Sequence, residues 1–280
     1  MSEEKTMYEI ASPFLVSPLE ATWIRLVQLG SLTSERLRLA LTAVANVDLA
    51  LASTLQQSDP QLAALGQSIE EEIGRWLAMS GKGLAQSESQ LRYLCSLPLL
   101  VSTLLQLAEE TRELARLLRW LQFPPSAPMA VSRAQGPNTS AASALLVATL
   151  FERLTVFGQQ ASALTTASVG ALARWDTQEA QRLWRRQRYF RCHLARLQHD
   201  LLTSLSTPEP GAQPLEPGHE GSQRWLMLLW SFVSSLRDIS LHGSTLCERL
   251  VYLVEGQRDI RALQRVERQL QICHPPEQRQ

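Results

Sequence analysis

An excess of charge of either sign is the first thing missing. In this chain 27 Lys and Arg balance 27 Asp and Glu, giving a formal net charge of zero and a pI near 7.0. Nucleic-acid-binding domains usually carry a basic excess, so the balance removes the global electrostatic case for nucleic acid. Lysine itself is nearly absent. Only Lys5 and Lys82 are lysines and the other cations are arginines, a bias read first as genome composition and only second as phosphate-binding chemistry. Cysteine is also sparse, and Cys95, Cys192, Cys247 and Cys273 form no Cys-x-x-Cys pair. In a chain of 280 residues that pattern points to reduced thiols in a cytosolic protein, not to a disulfide frame.

Long apolar runs are missing too. "LCSLPLLVSTLLQLA" and "WLMLLWSFV" both fall short of the roughly 20 residues that cross a bilayer. The acidic opening "MSEEKTMYEIASPF" has none of the build of a signal peptide. The expectation is a soluble, cytoplasmic chain with at most peripheral membrane contact. No window alternates in the manner of a strand. Nor does the sequence hold a Gly-x-x-x-x-Gly-Lys-Ser/Thr, a Gly-x-Gly-x-x-Gly, a Gly-x-Ser-x-Gly or a His-Glu-x-x-His. No predicted helix carries the Glu-x-x-His pairs of di-metal bundles. These absences argue against an enzyme and against a cofactor.

What remains is helical. Hydrophobic residues make up 45% of the chain, enough for a proper core in one large domain or two ordinary ones. Two stretches break the pattern, "FPPSAPMAVSRAQGPNTS" at 123–140 and "STPEPGAQPLEPGHEGS" at 206–222, because Pro, Gly and Ser hold no regular element there. They suggest a first bundle within 1–122, a linker at 123–140, a second bundle at 141–256 containing a loop at 206–222, and a tail at 257–280. The two halves look like copies displaced by 128 residues: Asp48 falls on Asp176, Ala52 on Ala180, Leu55 on Leu183, Ile73 on Leu201 and Leu77 on Leu205. Asp176 with Glu179 reads as a helix-capping pair, and Asp48 reads as the matching cap. Helices are expected over 18–46, 48–79, 86–122, 140–174, 176–205 and 222–255, with a short extra helix near 258–272. Pro60 and Pro98 should each kink or break their helix. The fold class is all-α, two tandem three-helix bundles.

One stretch, "RDISLHGSTLCERLVYLVEGQ", is harder to read. Its end is simple: Leu246, Leu250 and Leu253 share one face, and Gly256 supplies the left-handed residue that closes a helix. Its middle places Arg237, Asp238, His242 and Gly243 inside an otherwise good helix. The segment from His242 through Glu248, Tyr252, Leu253 and Val254 to Gly256 resembles the end of the third helix in the PhoU family of phosphate-signalling proteins. Ala43, Asp48 and Asp59 in the first half fall where that family's first hairpin has the same residues. The resemblance implies an adaptor between a phosphate ABC transporter and a sensor histidine kinase, a negative regulator of phosphate uptake that commonly forms a homodimer. It also implies metal ligands, because third helices in the family carry an acid, three residues, then Asp, twice. Such spacing puts two carboxylates on one face for hard cations. Here those positions hold Leu105 and Glu109 in the first half, and Arg237 and Leu241 in the second. Asp59 survives, but its repeat partner is Gln187. No metal is therefore expected. Arg237 is instead expected to pair with a nearby acid, among Asp238, Asp59 and Glu109, while Leu241 extends the apolar surface.

Other candidates are weighed against plainer readings. His193 and His199 lie six residues apart, about 240° around a helix, and His242 and His274 have no ligand partner at helical spacing. The segment "QRLWRRQRYFRCHLARLQ" mixes arginines with aromatics. Its core series of Leu183, Phe190, Leu194 and Leu197 leaves Arg182, Arg185, Arg188, Arg191 and Arg196 facing mainly outward. Arg182, Arg185, Arg188 and Arg191 are the candidates for contact with an acidic partner or anionic lipid, against the plain alternative of a solvated face. "WLMLLWSFV" reads as core with one tryptophan exposed. A second functional reading keeps the fold as a cytosolic scaffold with no phosphate role.

Overall fold

In a computed structural model of the chain, residues 17–57, 59–80, 88–121, 139–206 and 219–256 are described. They form seven helices and no strand: α1 Ser17–Asn46, α2 Leu49–Gln56, α3 Pro60–Ser80, α4 Glu88–Leu121, α5 Thr139–Ala173, α6 Thr177–Ser206 and α7 His219–Glu255. The helix expected near 258–272, the 123–138 part of the linker and most of the 206–222 loop lie outside the described residues.

The repeat is written into the turns. Asp48 stands before α2 and its carboxylate accepts from the Leu51 N–H at 3.0 Å. Asp176 stands before α6 and accepts from the Glu179 N–H at 2.9 Å. The residue ahead of each cap is left-handed, Val47 at φ 55° and Trp175 at φ 57°. Each preceding helix ends with the same pair of reversed bonds, Asp48 N–H to the Ala43 carbonyl and Val47 N–H to Val44 in one half, Asp176 to Ala171 and Trp175 to Leu172 in the other. A left-handed L-residue costs about 1–2 kcal/mol, so two of them 128 positions apart mark one inherited geometry, in which those bonds satisfy the last carbonyls.

The expected single helix over 48–79 is two. Asp59 accepts from the Gln61 and Leu62 N–H groups at 2.9 and 3.4 Å, which starts α3 with Pro60 as its first residue. Proline suits that position because it has no N–H to leave unpaired. Pro98 behaves differently. It lies inside α4, and the helix continues through it with Leu94, Leu97, Leu100 and Val101 all buried.

α1, α4, α5 and α7 pack around one core, α2 and α3 lie against α1 and α4, and α6 lies against α7 and α5. The second half is thus a three-helix unit, the first matches it with its middle helix split into α2 and α3, and the halves meet through α1 on α5 and α4 on α7. The α1–α5 crossing is isologous. A Cβ on Gly30 would stand 2.9 Å from Val169, and one on Gly158 would stand 2.8 Å from Leu41. Both pairs are related by the same displacement of 128, so each half offers a glycine to the branched side chain of the other. Trp175 adds a second tie by stacking on Trp23 with ring centres 4.1 Å apart, beside Tyr93. Tyr93 in turn donates its hydroxyl to the Leu19 carbonyl at 2.8 Å.

α4 corrects one expectation. By length and composition Gln90–Trp120 is apolar enough to cross a membrane, because its hydrophobic residues run on past Pro98. Half of that apolar stretch is buried inside the bundle, where Leu104, Leu107, Leu114 and Leu118 are fully buried.

Candidate functional site

The third helices, α4 and α7, place the four family positions apart from one another in chemistry. Leu105 packs on Gly66 of α3, where a Cβ would stand 3.3 Å from its Cδ1. Glu109 is exposed and paired with Arg112 on its own helix. Leu241 is 47% exposed. Among the described residues Arg237 pairs with no acid. Its Nη1 donates to Gln198 Oε1 on α6 at 3.0 Å, because an amide oxygen on the facing helix takes the place expected of a carboxylate. Asp59 is also committed elsewhere, holding Arg36 at 2.7 Å and the first N–H groups of α3. Burial alone would raise its pKa, but the Gln61 N–H, Arg36 and the Leu62 N–H together hold it below the ordinary carboxylate value.

Gln187, the repeat partner of Asp59, explains the glycine in α7. Its side chain is fully buried. Nε2 donates to Ser168 Oγ of α5 at 2.8 Å, and the Ser240 hydroxyl of α7 lies 3.1 Å from its carbonyl and 3.3 Å from Oε1. Cys247 donates its thiol to the same Ser168 oxygen at 3.4 Å, and burial pushes that thiol up to about 12. The amide lies flat against α7, so a Cβ on Gly243 would stand 2.4 Å from Nε2. A polar side chain is tolerated in this core because both its Nε2 and its Oε1 are hydrogen-bonded.

Asp238, also in the α7 middle, stands near Glu110 of α4. Glu110 accepts from the Ser235 hydroxyl and lies close enough to Asp238 to feel its charge. Glu110 and Asp238 are themselves 128 positions apart, so the seam brings together one acid from each half. Burial first, then Asp238 and Glu113, raise the Glu110 pKa against the Ser235 bond. His242, half-buried one turn on, is shifted down by burial and partly restored by Asp238.

The four arginine candidates on α6 do not share a face. Arg191 turns inward and Nη1 donates to the Ser240 carbonyl at 3.1 Å and Ser244 Oγ at 2.6 Å, with burial lowering its pKa. Arg188 folds over Trp184 at 4.8 Å from the ring centre, and the Trp184 indole donates to Glu248 of α7 at 2.7 Å. Arg182 and Arg185 are exposed as expected, together with Arg186 and Arg196. Helical angle sets 188 and 191 apart from 182, and the packing of α7 on that side turns Arg191 inward. His193 meets Tyr189 edge-on at 4.5 Å, His199 is exposed, and His274 lies outside the described residues. In "WLMLLWSFV", Leu229, Phe232 and Val233 are buried while Met227 is exposed.

No family model and no curated protein matches the sequence. Solved structures do. PhoU from Pseudomonas aeruginosa superposes with a TM-score of 0.64 at 20% identity, over 86% of this chain and 99% of that one. The phosphate transport system regulatory protein PhoU from Streptococcus pneumoniae gives 0.62 at 18%, over 85% and 96%. The chain has the PhoU fold. Within that fold its third helices do not fit the multinuclear metal centre that the resemblance implies. Leu105 and Leu241 bring no donor atom, Arg237 brings a cation, and Glu109 and Asp59 are held by arginines. Among the described residues no three His, Cys, Asp or Glu side chains gather as a ligand set.

Proposed function

We propose that this protein is a PhoU-like regulator of phosphate uptake and phosphate-responsive signalling. It acts in the cytoplasm without catalysis, as an adaptor between a phosphate ABC transporter and a sensor histidine kinase, and as a homodimer. The observation that carries the reading is the superposition of both bundles on nearly the whole of two solved PhoU chains, one of them titled a phosphate transport system regulatory protein. The repeat-related caps and the glycine-lined crossing support it, since they hold the two bundles in one fixed relation that a partner can read. An adaptor works by binding one state of its partner better than another, and the difference in affinity sets how far the partner shifts. No step in this reading passes through a metal.

The replaced acids at 105, 237 and 241 favour a second reading, a PhoU-fold scaffold with no phosphate role. Deleting the gene in its host separates the two. The regulator reading expects phosphate uptake and a phosphate-responsive reporter to stay high in phosphate-rich medium, and to fall again when the gene is restored. Unchanged uptake and reporter output in the deletion strain refute the regulator and leave the scaffold.

A further inference from the structure

The outward face of α6 carries cations that hold no acid among the described residues. Elsewhere five arginines follow an acid by one helical turn and hold it: Arg38 with Glu35, Arg75 with Glu72, Arg92 with Glu88, Arg112 with Glu109 and Arg116 with Glu113. On α6 only Arg182 does so, reaching Glu179 at 3.6 Å. Arg185, Arg186 and Arg196 have no acid one turn before them, and no acid stands within ion-pair distance of them among the described residues. Residues 182, 185, 186, 189, 193 and 196 recur at helical spacing, so they form one strip. Its middle is Tyr189, 55% exposed, with His193 against its edge. At 1.5 Å per residue the strip is about 21 Å long.

We propose that this strip docks an acidic helix of a partner protein, one whose Asp and Glu side chains recur on a single face. The proposal deepens the adaptor reading and rests on it for the partner being a protein. Charge complementarity and width select the occupant. Acids border the strip: Glu179 at one end, exposed Asp200 at the other, and along the α7 side Glu248 and Glu255, which accept from Trp184 and Gln181. A flat anionic membrane would press on those carboxylates as well as on the arginines. A helix about 10 Å across lies along the basic strip and clears them. Guanidinium forks suit carboxylates, and a Tyr among arginines is the composition of an interface centre.

The probe is a fluorescein-labelled helical peptide of about five turns made of Ala, Gln and Glu with every Glu on one face, read by anisotropy at low salt. A peptide of the same composition with Glu scattered around the helix, and vesicles of phosphatidylglycerol, are the controls. The full-length protein should bind the one-faced peptide about tenfold more tightly than the scattered one. Arg185→Glu/Arg186→Glu, or Arg196→Glu as an independent variant, should weaken that binding about tenfold at unchanged melting temperature, since several exposed pairs of modest strength are reversed together. Arg153→Glu on α5 should leave it unchanged. Equal affinity for both peptides, no binding, no loss in the α6 variants, or loss in Arg153→Glu overturns the proposal. Binding to vesicles in place of the peptide, abolished by the same variants, overturns it in favour of a membrane. The regulator reading fails separately: if the peptide results hold while the deletion strain regulates phosphate normally, the strip stands and the phosphate role falls. If deletion derepresses the reporter and Arg185→Glu/Arg186→Glu restores control fully, the strip is not the adaptor's docking site.

Discussion

Gly243→Ala sets helix propensity against packing, and the two predict opposite signs. Alanine is a better helix former than glycine by about 1 kcal/mol, and Gly243 lies well inside α7, so propensity alone predicts a more stable protein. The tertiary contact predicts the reverse. The new Cβ would fall 2.4 Å from Gln187 Nε2, 2.5 Å from Oε1 and 2.8 Å from Cδ. The amide has no solvent to retreat into, and it is bonded to Ser168 and Ser240. Forcing it aside costs about 1–3 kcal/mol in overpacking. Leaving its buried N–H unpaired costs about 1–3 kcal/mol more. Less the propensity gain, the net loss centres on about 3 kcal/mol, a fall of roughly 6–12 °C in melting temperature for a domain near this size. Urea unfolding with linear extrapolation measures it. In a Gln187→Ala background the same Gly243→Ala change should be neutral or stabilising, and the difference between backgrounds is the coupling of the pair. A Gly243→Ala protein as stable as the parent, or an equal loss in both backgrounds, would refute the packing argument.

Two further outcomes concern residues of α4 and α7. Glu110 has a pKa raised above the ordinary glutamate value of 4.5, so the folded state keeps a proton that the unfolded state releases. Stability is fullest below pH 4.5 for this group and falls as pH rises through the raised value. Glu110→Gln should therefore raise the melting temperature at pH 7 and flatten the melting profile just above pH 4.5; a lower melting temperature at pH 7 would contradict it. Because Leu105, Arg237 and Leu241 stand where carboxylates would bind cations, EDTA should leave the melting temperature unchanged and elemental analysis should find no stoichiometric iron or zinc. A metal that bound only the folded state would raise its stability, so a metal near one per chain whose removal lowers the melting temperature would overturn this.

Local chemistry was enough for the helices and the repeat. Asp48 and Asp176 cap helices because a short carboxylate reaches the N–H three residues on, a relation that needs no distant contact. Gly256 closes α7 at φ 72° for a similarly local reason, and Leu246, Leu250 and Leu253 are buried on the face their spacing predicted. The break at Asp59–Pro60 was partly legible, since proline can kink a helix or begin one, and the Arg36 contact helps to hold Asp59 at the junction. Partner choice was not legible at all. Arg191 turns inward and Arg186 outward on one helix because α7 covers one side of α6, which is a property of packing and not of the arginine. Arg237 meets Gln198 instead of an acid, and Gly243 is needed only because Gln187 lies against it from another helix. Sequence periodicity fixes which residues share a face. Only the assembled bundle decides what each face meets, because contacts between residues 39 to 79 positions apart depend on how helices cross.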